Sequence, residues 1–311
     1  MRRCLAAVVA LVVLGAVACG DGDGDGGSSP AEASDGTGPT TFDVGEVTER
    51  FVDTSRPTVS GDGTQLAPDR TLVTVIRYPE GDGPFPLVVL AHGNDGHPRK
   101  FVRLSTAWAE AGFVVALPTF PLTNDEAPGP SVTSDYVNQP ADVSFVIDQV
   151  IALSQAGDGP LAGLVDASRI GVGGLSLGAA TTYGVTFNSC CRDERIDAAL
   201  IMAGNLFPFG SGTYDLSGTP LLVMHGDEDP ALPIEGDEEA YAMAAPPKIF
   251  VTILGGLHAE PFEDAVDPAD DMVEQVTTDY WLAFLEEVPG GVDTLLADAD
   301  VAGLTTVRYE E

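Results

Sequence analysis

Apolar runs of strand length recur along most of the chain. The first, 71–79, alternates between apolar and polar positions, which predicts a strand with one exposed face. Six later runs are continuously apolar and rich in β-branched residues, which is typical of strands buried on both faces of a parallel sheet. These runs lie at 86–93, 113–120, 169–176, 198–204, 220–226 and 248–256.

Segments with helical character separate these runs. They lie at 98–111, 140–155, 177–188, 235–245 and 270–287. The alternation of strand and helix predicts a single α/β domain at 43–288, in which helices flank a doubly wound, mostly parallel sheet. We expect a long polar loop at 121–139. We set 289–311 apart as a C-terminal tail without assigned structure.

The N-terminal residues have a different pattern. A basic start precedes an apolar stretch at 4–18, which is too short to span a bilayer and fits an export signal, so we predict a signal peptide at 1–18. The stretch ends in "AVAC" and resembles the lipobox of bacterial lipoproteins. That resemblance implies a lipid on Cys19 that anchors the protein to the membrane outside the cytoplasm. A plain secreted protein is the alternative. Residues 19–42, rich in Gly, Ser, Asp and Pro, predict a flexible linker.

Composition narrows the range of partners. Among 311 residues, 48 are acidic and only 14 are Lys or Arg, which gives a formal net charge of −34. Such a charge repels phosphate backbones, so we expect no nucleic-acid partner. Beyond the signal and the lipid site, only Cys190 and Cys191 remain, and they are adjacent. They form either a vicinal disulfide or two buried thiols, and the sequence leaves both possibilities open.

The strongest chemical signal lies where one strand ends. Ser176 stands between Gly174 and Gly178, and a helix beginning at Leu177 follows with no loop. So sharp a turn strains the backbone at the serine, and the glycines remove side chains that would clash. The turn exposes a hydroxyl at the positive end of a helix, where negative charge is favoured. The pattern predicts a nucleophile elbow with Ser176 as the nucleophile.

A serine nucleophile requires a base and an acid. His258 follows the run 248–256, and Asp229 follows the run 220–226. Serine, acid and histidine then occur in the chain order that this elbow architecture uses, and each follows its own predicted strand. We predict that all three meet at one edge of the sheet. Asp227 and Glu228, in the same turn, are competing candidates, and Asp227 is the alternative acid.

The remaining polar groups are predicted to support this site. The backbone N–H groups of Leu177 and of Asn94, in "HGNDGH", are the expected donors to an oxyanion. His92 and His225 both occur in "HG" at strand ends, where we expect them to brace the turns, and His97 is expected at the surface. No histidine or cysteine pair has the spacing of a metal site, so we predict no metal and no cofactor.

The motifs "HGN", "GLSLG", "HGDEDP" and "GGLH" together resemble the α/β-hydrolase superfamily over residues 66–288. Within it, "QPADVSFVIDQV" followed by "RIGVGGLSLGA" is similar to the group that includes dienelactone hydrolases, chlorophyllases and polyester hydrolases. The resemblance implies an α/β-hydrolase fold with a triad of Ser176, Asp229 and His258. Dienelactone hydrolases use a cysteine as nucleophile, whereas this chain has Ser176, which favours ester hydrolysis.

These observations predict a serine esterase that acts on small-molecule or polymeric esters. No long insertion follows residue 204, so we expect an open site without a helical lid. Two alternatives stay open. The same triad could transfer an acyl group to a cell-envelope component, or the fold could serve as a binding lipoprotein without catalysis.

Overall fold

A nine-stranded sheet forms the centre of residues 41–311, the part of the chain that this computed structural model describes. The described residues form eleven strands, of which all but β2 and β3 belong to this sheet. They are β1 (Val44–Asp53), β2 (Thr58–Val59), β3 (Gln65–Ala67), β4 (Arg70–Pro79), β5 (Phe85–Ala91), β6 (Val114–Thr119), β7 (Val165–Leu175), β8 (Ala198–Met202), β9 (Leu221–Gly226), β10 (Lys248–Ile253) and β11 (Thr305–Glu310). The predicted signal peptide, the predicted lipid site at Cys19 and almost all of the predicted linker lie outside the described residues.

The helices lie between the strands in the chain. They are α1 (Val102–Glu110), α2 (Gln139–Ala156), α3 (Leu177–Phe187), α4 (Glu235–Met243), α5 (Asp270–Phe284) and α6 (Gly291–Ala299), with 3-10 turns at Pro98–Phe101 and Thr133–Asn138. None of the described helices combines the length and the apolar character needed to cross a bilayer.

The order of strands in the sheet is β1-β4-β6-β5-β7-β8-β9-β10-β11, and β2 pairs only with β3. The six strands from β6 to β10 in this order are parallel, and β4, β1 and β11 join at the two sides in antiparallel pairings. Parallel strands end at the same edge, so the loops after β5, β7, β9 and β10 gather there. The structure confirms the predicted mostly parallel sheet flanked by helices.

Two apolar layers hold the helices on the sheet. Side chains of successive strand residues point to opposite faces, so Val88 and Leu90 of β5 pack with α1, α5 and α6, whereas Leu87 and Val89 pack with α2. On the first face the rings of Trp108 and Trp281 meet edge to face at 5.5 Å. A third apolar cluster joins α3 and α4 to the sheet beside α2. Helices therefore cover both faces.

Residues 289–311, which we set apart as a tail, are built into this fold. They contain α6, which packs on α5, and β11, which pairs with every residue of β10. The boundary predicted at residue 288 has no counterpart in the structure. The sequence pattern hid β11 because this strand lies at the edge of the sheet, and only its first residue, Thr305, is buried.

Cys190 and Cys191 form a vicinal disulfide just after the end of α3. The disulfide was one of the two possibilities that the sequence left open. The predicted polar loop at 121–139 is largely irregular, and the turn at Thr133–Asn138 leads directly into α2.

Candidate active site

Ser176 occupies a strained turn between β7 and α3. Its φ of 57° and ψ of −115° fall outside the regions that residues with a side chain favour. Two backbone hydrogen bonds hold it there, because its N–H donates to the carbonyl of Met202 at 2.9 Å and its carbonyl accepts from Ala180 at 3.0 Å. The neighbouring strand and the first turn of the helix therefore hold this conformation in place.

The flanking glycines are required by close backbone contacts. A Cβ atom at Gly174 would overlap the backbone of Gly178, and one at Gly178 would overlap the carbonyl of Ala91 in β5. The first turn of α3 thus packs directly on the ends of β7 and β5. This packing is the physical reason for the Gly-x-Ser-x-Gly spacing, and it fixes where the Ser176 hydroxyl lies.

The structure brings Ser176, His258 and Asp229 together. The Nε2 atom of His258 lies 2.8 Å from Ser176 Oγ, and its Nδ1 atom lies 2.6 Å from Asp229 Oδ2. Asp227, the alternative acid, instead accepts a hydrogen bond from the N–H of Gly255 at 2.6 Å. The geometry therefore favours Asp229 as the partner of His258.

The surroundings of Asp229 hold it as a carboxylate. Its Oδ1 atom accepts hydrogen bonds from the N–H groups of Ala231 at 2.7 Å and Leu232 at 2.9 Å. Burial alone would raise the pKa of Asp229, but the hydrogen bonds from Leu232, His258 and Ala231 bring that pKa below its ordinary value. An ionised Asp229 accepts the Nδ1–H of His258, which leaves Nε2 free to accept the Ser176 proton.

The turn after β5 borders the serine. A Cβ atom at Gly93 would lie 3.2 Å from Ser176 Cβ, and Asn94 follows directly. In the described part of the chain, neither the N–H of Asn94 nor that of Leu177 has a hydrogen-bond acceptor. Leu177 is the first residue of α3, where N–H groups have no partner within the helix. Both predicted donors are therefore without a competing acceptor, as an oxyanion site requires.

The side chain of Asn94 links this turn to the 121–139 segment. Its Oδ1 atom accepts hydrogen bonds from Ser131 Oγ at 2.8 Å and Thr133 Oγ1 at 3.1 Å. Beneath them, Asp135 is joined to Arg70 at the start of β4, and Arg70 also binds Asp142 of α2 at 2.6 Å. The side chains of Arg70 and both aspartates are at most 1% exposed. A buried ion network therefore anchors the loop that holds Asn94.

His92 and His97 differ in their surroundings. Buried His92 donates from Nδ1 to the Gly93 carbonyl and accepts the Phe120 N–H at Nε2, and burial lowers its pKa to about 4. It is therefore neutral and braces the turn. His97 is half-buried, and its ring nitrogens come close to the carboxylates of the pair Asp125 and Glu126. Within residues 41–311, these three side chains are the one group of His, Cys, Asp or Glu close enough together to hold a metal ion. Arg99, however, already binds both carboxylates.

His225 has a contact that sequence reasoning missed. We expected it to brace its turn, but its Nε2 atom also lies 3.1 Å from Asp229 Oδ2, the oxygen that His258 contacts. Its position four residues before Asp229, at the end of a buried strand, was the available signal.

A scan of protein-family models finds none that matches this chain, and no curated protein matches it significantly. The chemistry of the site is therefore inferred from its geometry.

Proposed function

We propose that the protein is a serine hydrolase with the α/β-hydrolase fold that cleaves carboxylic esters. One observation carries the proposal, namely the unbroken series of hydrogen bonds from Ser176 through His258 to Asp229. The three residues follow different parallel strands, β7, β9 and β10, and converge at the edge of the sheet where ligands bind in such folds. Packing alone would not require a hydroxyl, an imidazole and a carboxylate in this order.

The arrangement supports nucleophilic catalysis in two halves. His258 Nε2 takes the Ser176 proton as Oγ bonds to the ester carbonyl carbon, and the tetrahedral intermediate places its negative oxygen between the N–H groups of Asn94 and Leu177. His258 then gives the proton to the departing alkoxide, which leaves as an alcohol. In the second half, His258 takes a proton from water, the resulting hydroxide attacks the acyl-serine, and the acid leaves as Ser176 regains its proton.

The electrostatics of the site suit the charges that these steps create. Asp229 stabilises the imidazolium form of His258, and its side chain is only 1% exposed, so water weakens that interaction little. The N-terminus of α3 points its positive end at the developing oxyanion. Neither group has to move into place during the reaction. Backbone N–H groups already hold the Asp229 carboxylate, and the N-terminus of α3 is itself part of the backbone.

The exposure of the nucleophile and the base indicates which esters can reach the site. Ser176 is partly exposed, and the His258 side chain is 20% exposed even while it contacts the serine. We therefore propose small or medium esters, or exposed segments of polymers, as substrates. The membrane anchor at Cys19 remains a prediction from the sequence and is part of the proposal only as the site of action outside the cytoplasm.

A series of p-nitrophenyl esters of increasing acyl length tests the proposal. We expect Ser176→Ala to lower kcat/KM by at least about 10³-fold. Ser168→Ala, at the other end of β7, is the matched control and should match the wild type. A fluorophosphonate should label Ser176, as located by mass spectrometry. If the wild type neither hydrolyses esters nor takes the label, a binding role replaces the proposal. If added alcohols are acylated faster than water, the protein is an acyltransferase.

A further inference from the structure

A second buried histidine lies behind the Ser176–His258–Asp229 series. His225, the last residue but one of β9, has no exposed surface. Its Nδ1 atom lies 2.8 Å from Asp237 Oδ2 in α4. Its Nε2 atom lies 3.1 Å from Asp229 Oδ2 and 3.0 Å from the carbonyl oxygen of Leu232. The ring thus joins two carboxylates that come from different elements.

Every partner of this ring is a hydrogen-bond acceptor. Neutral imidazole carries one N–H, so one ring nitrogen of a neutral His225 would turn its lone pair towards an oxygen lone pair at about 3 Å in a buried site. Two N–H groups satisfy all of these contacts. Asp237 also accepts from Tyr183 Oη at 2.9 Å and from the N–H of Gly204 at 2.7 Å, so it receives three donors, as a carboxylate does.

We propose that His225 is a permanent imidazolium between Asp237 and Asp229, and that it is a positioning residue that holds the Asp229 carboxylate on His258. This inference rests on the proposed function, because the position of Asp229 affects catalysis only where His258 is the base. His225 touches neither Ser176 nor substrate, and it acts through Asp229 alone.

The groups around the ring are consistent with a charged state. Burial alone would lower the pKa of His225, but the hydrogen bond and charge of Asp237, with the Leu232 carbonyl and the charge of Asp229, raise that pKa above its ordinary value. Tyr183, on α3, reaches the ring only through Asp237, and burial raises its pKa so that it stays a neutral donor. His258 reaches the ring only through Asp229.

The positive ring has a consequence for the base. Two N–H groups share Asp229 Oδ2, one from His258 and one from His225, so part of the negative charge that would hold a proton on His258 is already compensated. Loss of the His225 charge leaves the Asp229 carboxylate beside His258 without its positive neighbour. Added net negative charge beside the base favours its protonated form, so the acid limb of kcat/KM would move upwards.

The protonation state can be measured without any assay of activity. Nitrogen-15 NMR of the full chain, labelled at its four histidines, distinguishes rings with one protonated nitrogen from rings with two. We expect two protonated nitrogens in His225 at pH 7.5, whereas His92, buried and neutral, provides the matched single-proton pattern. A His225 ring with a single proton at pH 7.5 would overturn the inference, even if the ester assays succeed.

Two variants separate the charge from the hydrogen bond. Gln at position 225 keeps a donor for Asp229 but has no charge, so we expect His225→Gln to raise the acid limb of kcat/KM by about one pH unit. The double variant with Asp237→Asn removes one positive and one negative charge together and should return the limb close to its wild-type position.

A merely structural role would lower kcat in both variants and leave the limb unmoved, which would refute the positioning role. If His225→Gln does not fold, the NMR measurement decides, because the positioning role requires a charged His225 ring. If the wild type has no esterase activity, the proposed function and the positioning role fail together, whereas the NMR result still decides whether His225 is an imidazolium.

Discussion

His258 Nε2 lies 2.8 Å from Ser176 Oγ, although the two residues are 82 positions apart in the chain. The serine follows β7 and the histidine follows β10, and β8 and β9 lie between these strands in the sheet. The loop after β10 must therefore reach back across three strand spacings, about 14 Å. A close backbone crossing lets it do so, because a Cβ atom at Gly226 would overlap Gly256 in that loop.

Gly226→Ala should therefore displace the His258 loop. We expect kcat/KM to fall about 10²-fold, since a shift of about 1 Å in a base costs that much, with a smaller effect on KM. Gly173→Ala is the control, because its new methyl group would meet only side chains, at 3.3 Å or more. Ester kinetics on both variants make the comparison. Equal activity in the two would show that the crossing does not position His258.

The oxyanion role of Asn94 belongs to its backbone. Asn94→Ala keeps the N–H and loses only the side-chain links to Ser131, Thr133 and Asp95, so we expect less than about a tenfold loss in kcat. Asn94→Pro removes the N–H and should lower kcat about 10² to 10³-fold. Thermal unfolding of both variants checks that the fold is kept. If the proline variant is as active as the alanine variant, another group stabilises the oxyanion.

The buried network under the 121–139 segment should control stability. Arg70→Met leaves Asp135 and Asp142 buried without their main cation, and we expect the free energy of unfolding to fall by about 3 to 5 kcal/mol. Arg169→Met is the control. Its side chain is 29% exposed, and removing its ion pairs should cost at most about 1 kcal/mol. Urea denaturation measures both changes. A loss of under about 1 kcal/mol for Arg70→Met would contradict the role of this network.

Asp279 in α5 should make stability depend on pH. Burial, together with the nearby negative charge of Asp298, raises the pKa of Asp279 from an ordinary value of 3.8 to about 6, against a hydrogen bond from Gln275. The folded state thus binds this proton more tightly than the unfolded chain. The contribution of this proton binding to the free energy of unfolding is fully present below pH 3.8 and is lost as the pH rises through 6.

At neutral pH the folded protein keeps Asp279 as a buried carboxylate, which lowers the free energy of unfolding. Asp279→Asn removes this cost. Its amide keeps an acceptor for Gln275 and offers a donor where Asp279 Oδ2 has no hydrogen-bond partner among the described residues. We expect a gain of about 1 to 2 kcal/mol in the free energy of unfolding at pH 7.5 and little gain at pH 3.5. Denaturation at both pH values checks the prediction. An equal gain at the two values would show that protonation is not the cause.

Reduction of the vicinal disulfide should leave the site intact. Cys190 and Cys191 follow α3, whose 11 residues separate them from Ser176 by about 16 Å. We expect kcat/KM to stay within about twofold of its value when a phosphine reductant opens the bond, as confirmed by thiol titration. The double variant Cys190→Ser with Cys191→Ser is the control for effects of the reductant. A large loss in the wild type alone would link this loop to the site.

The sequence made the central strands predictable because burial leaves them uniformly apolar. Every residue of β5, β8 and β9 is buried, and each was found within two residues of its observed ends. In contrast, β1 and β11 each pair with one neighbour and alternate with exposed polar residues. Their patterns contain little apolar signal, so the sequence predicts no strand at β1 and leaves β11 within an unassigned tail.

The same contrast holds at the site. Ser176, Asp229 and His258 could be predicted because each follows a recognisable strand in a short motif. The contacts of His225 could not, because its partner Asp237 lies 12 residues further on in α4. Only folding brings that carboxylate to the far side of the ring, and a single sequence gives no measure of that distance.

The first and last strands of the described chain lie at opposite edges of the sheet. A growing chain has therefore received its serine, its aspartate and its histidine some 50 residues before β11 exists to close the sheet beside β10. Until then, β10 exposes an unpaired edge right next to the loop that carries the histidine. The edge of β10 therefore stays unpaired until β11 has been made, and we expect removal of 305–311 to leave that edge free to pair with another chain.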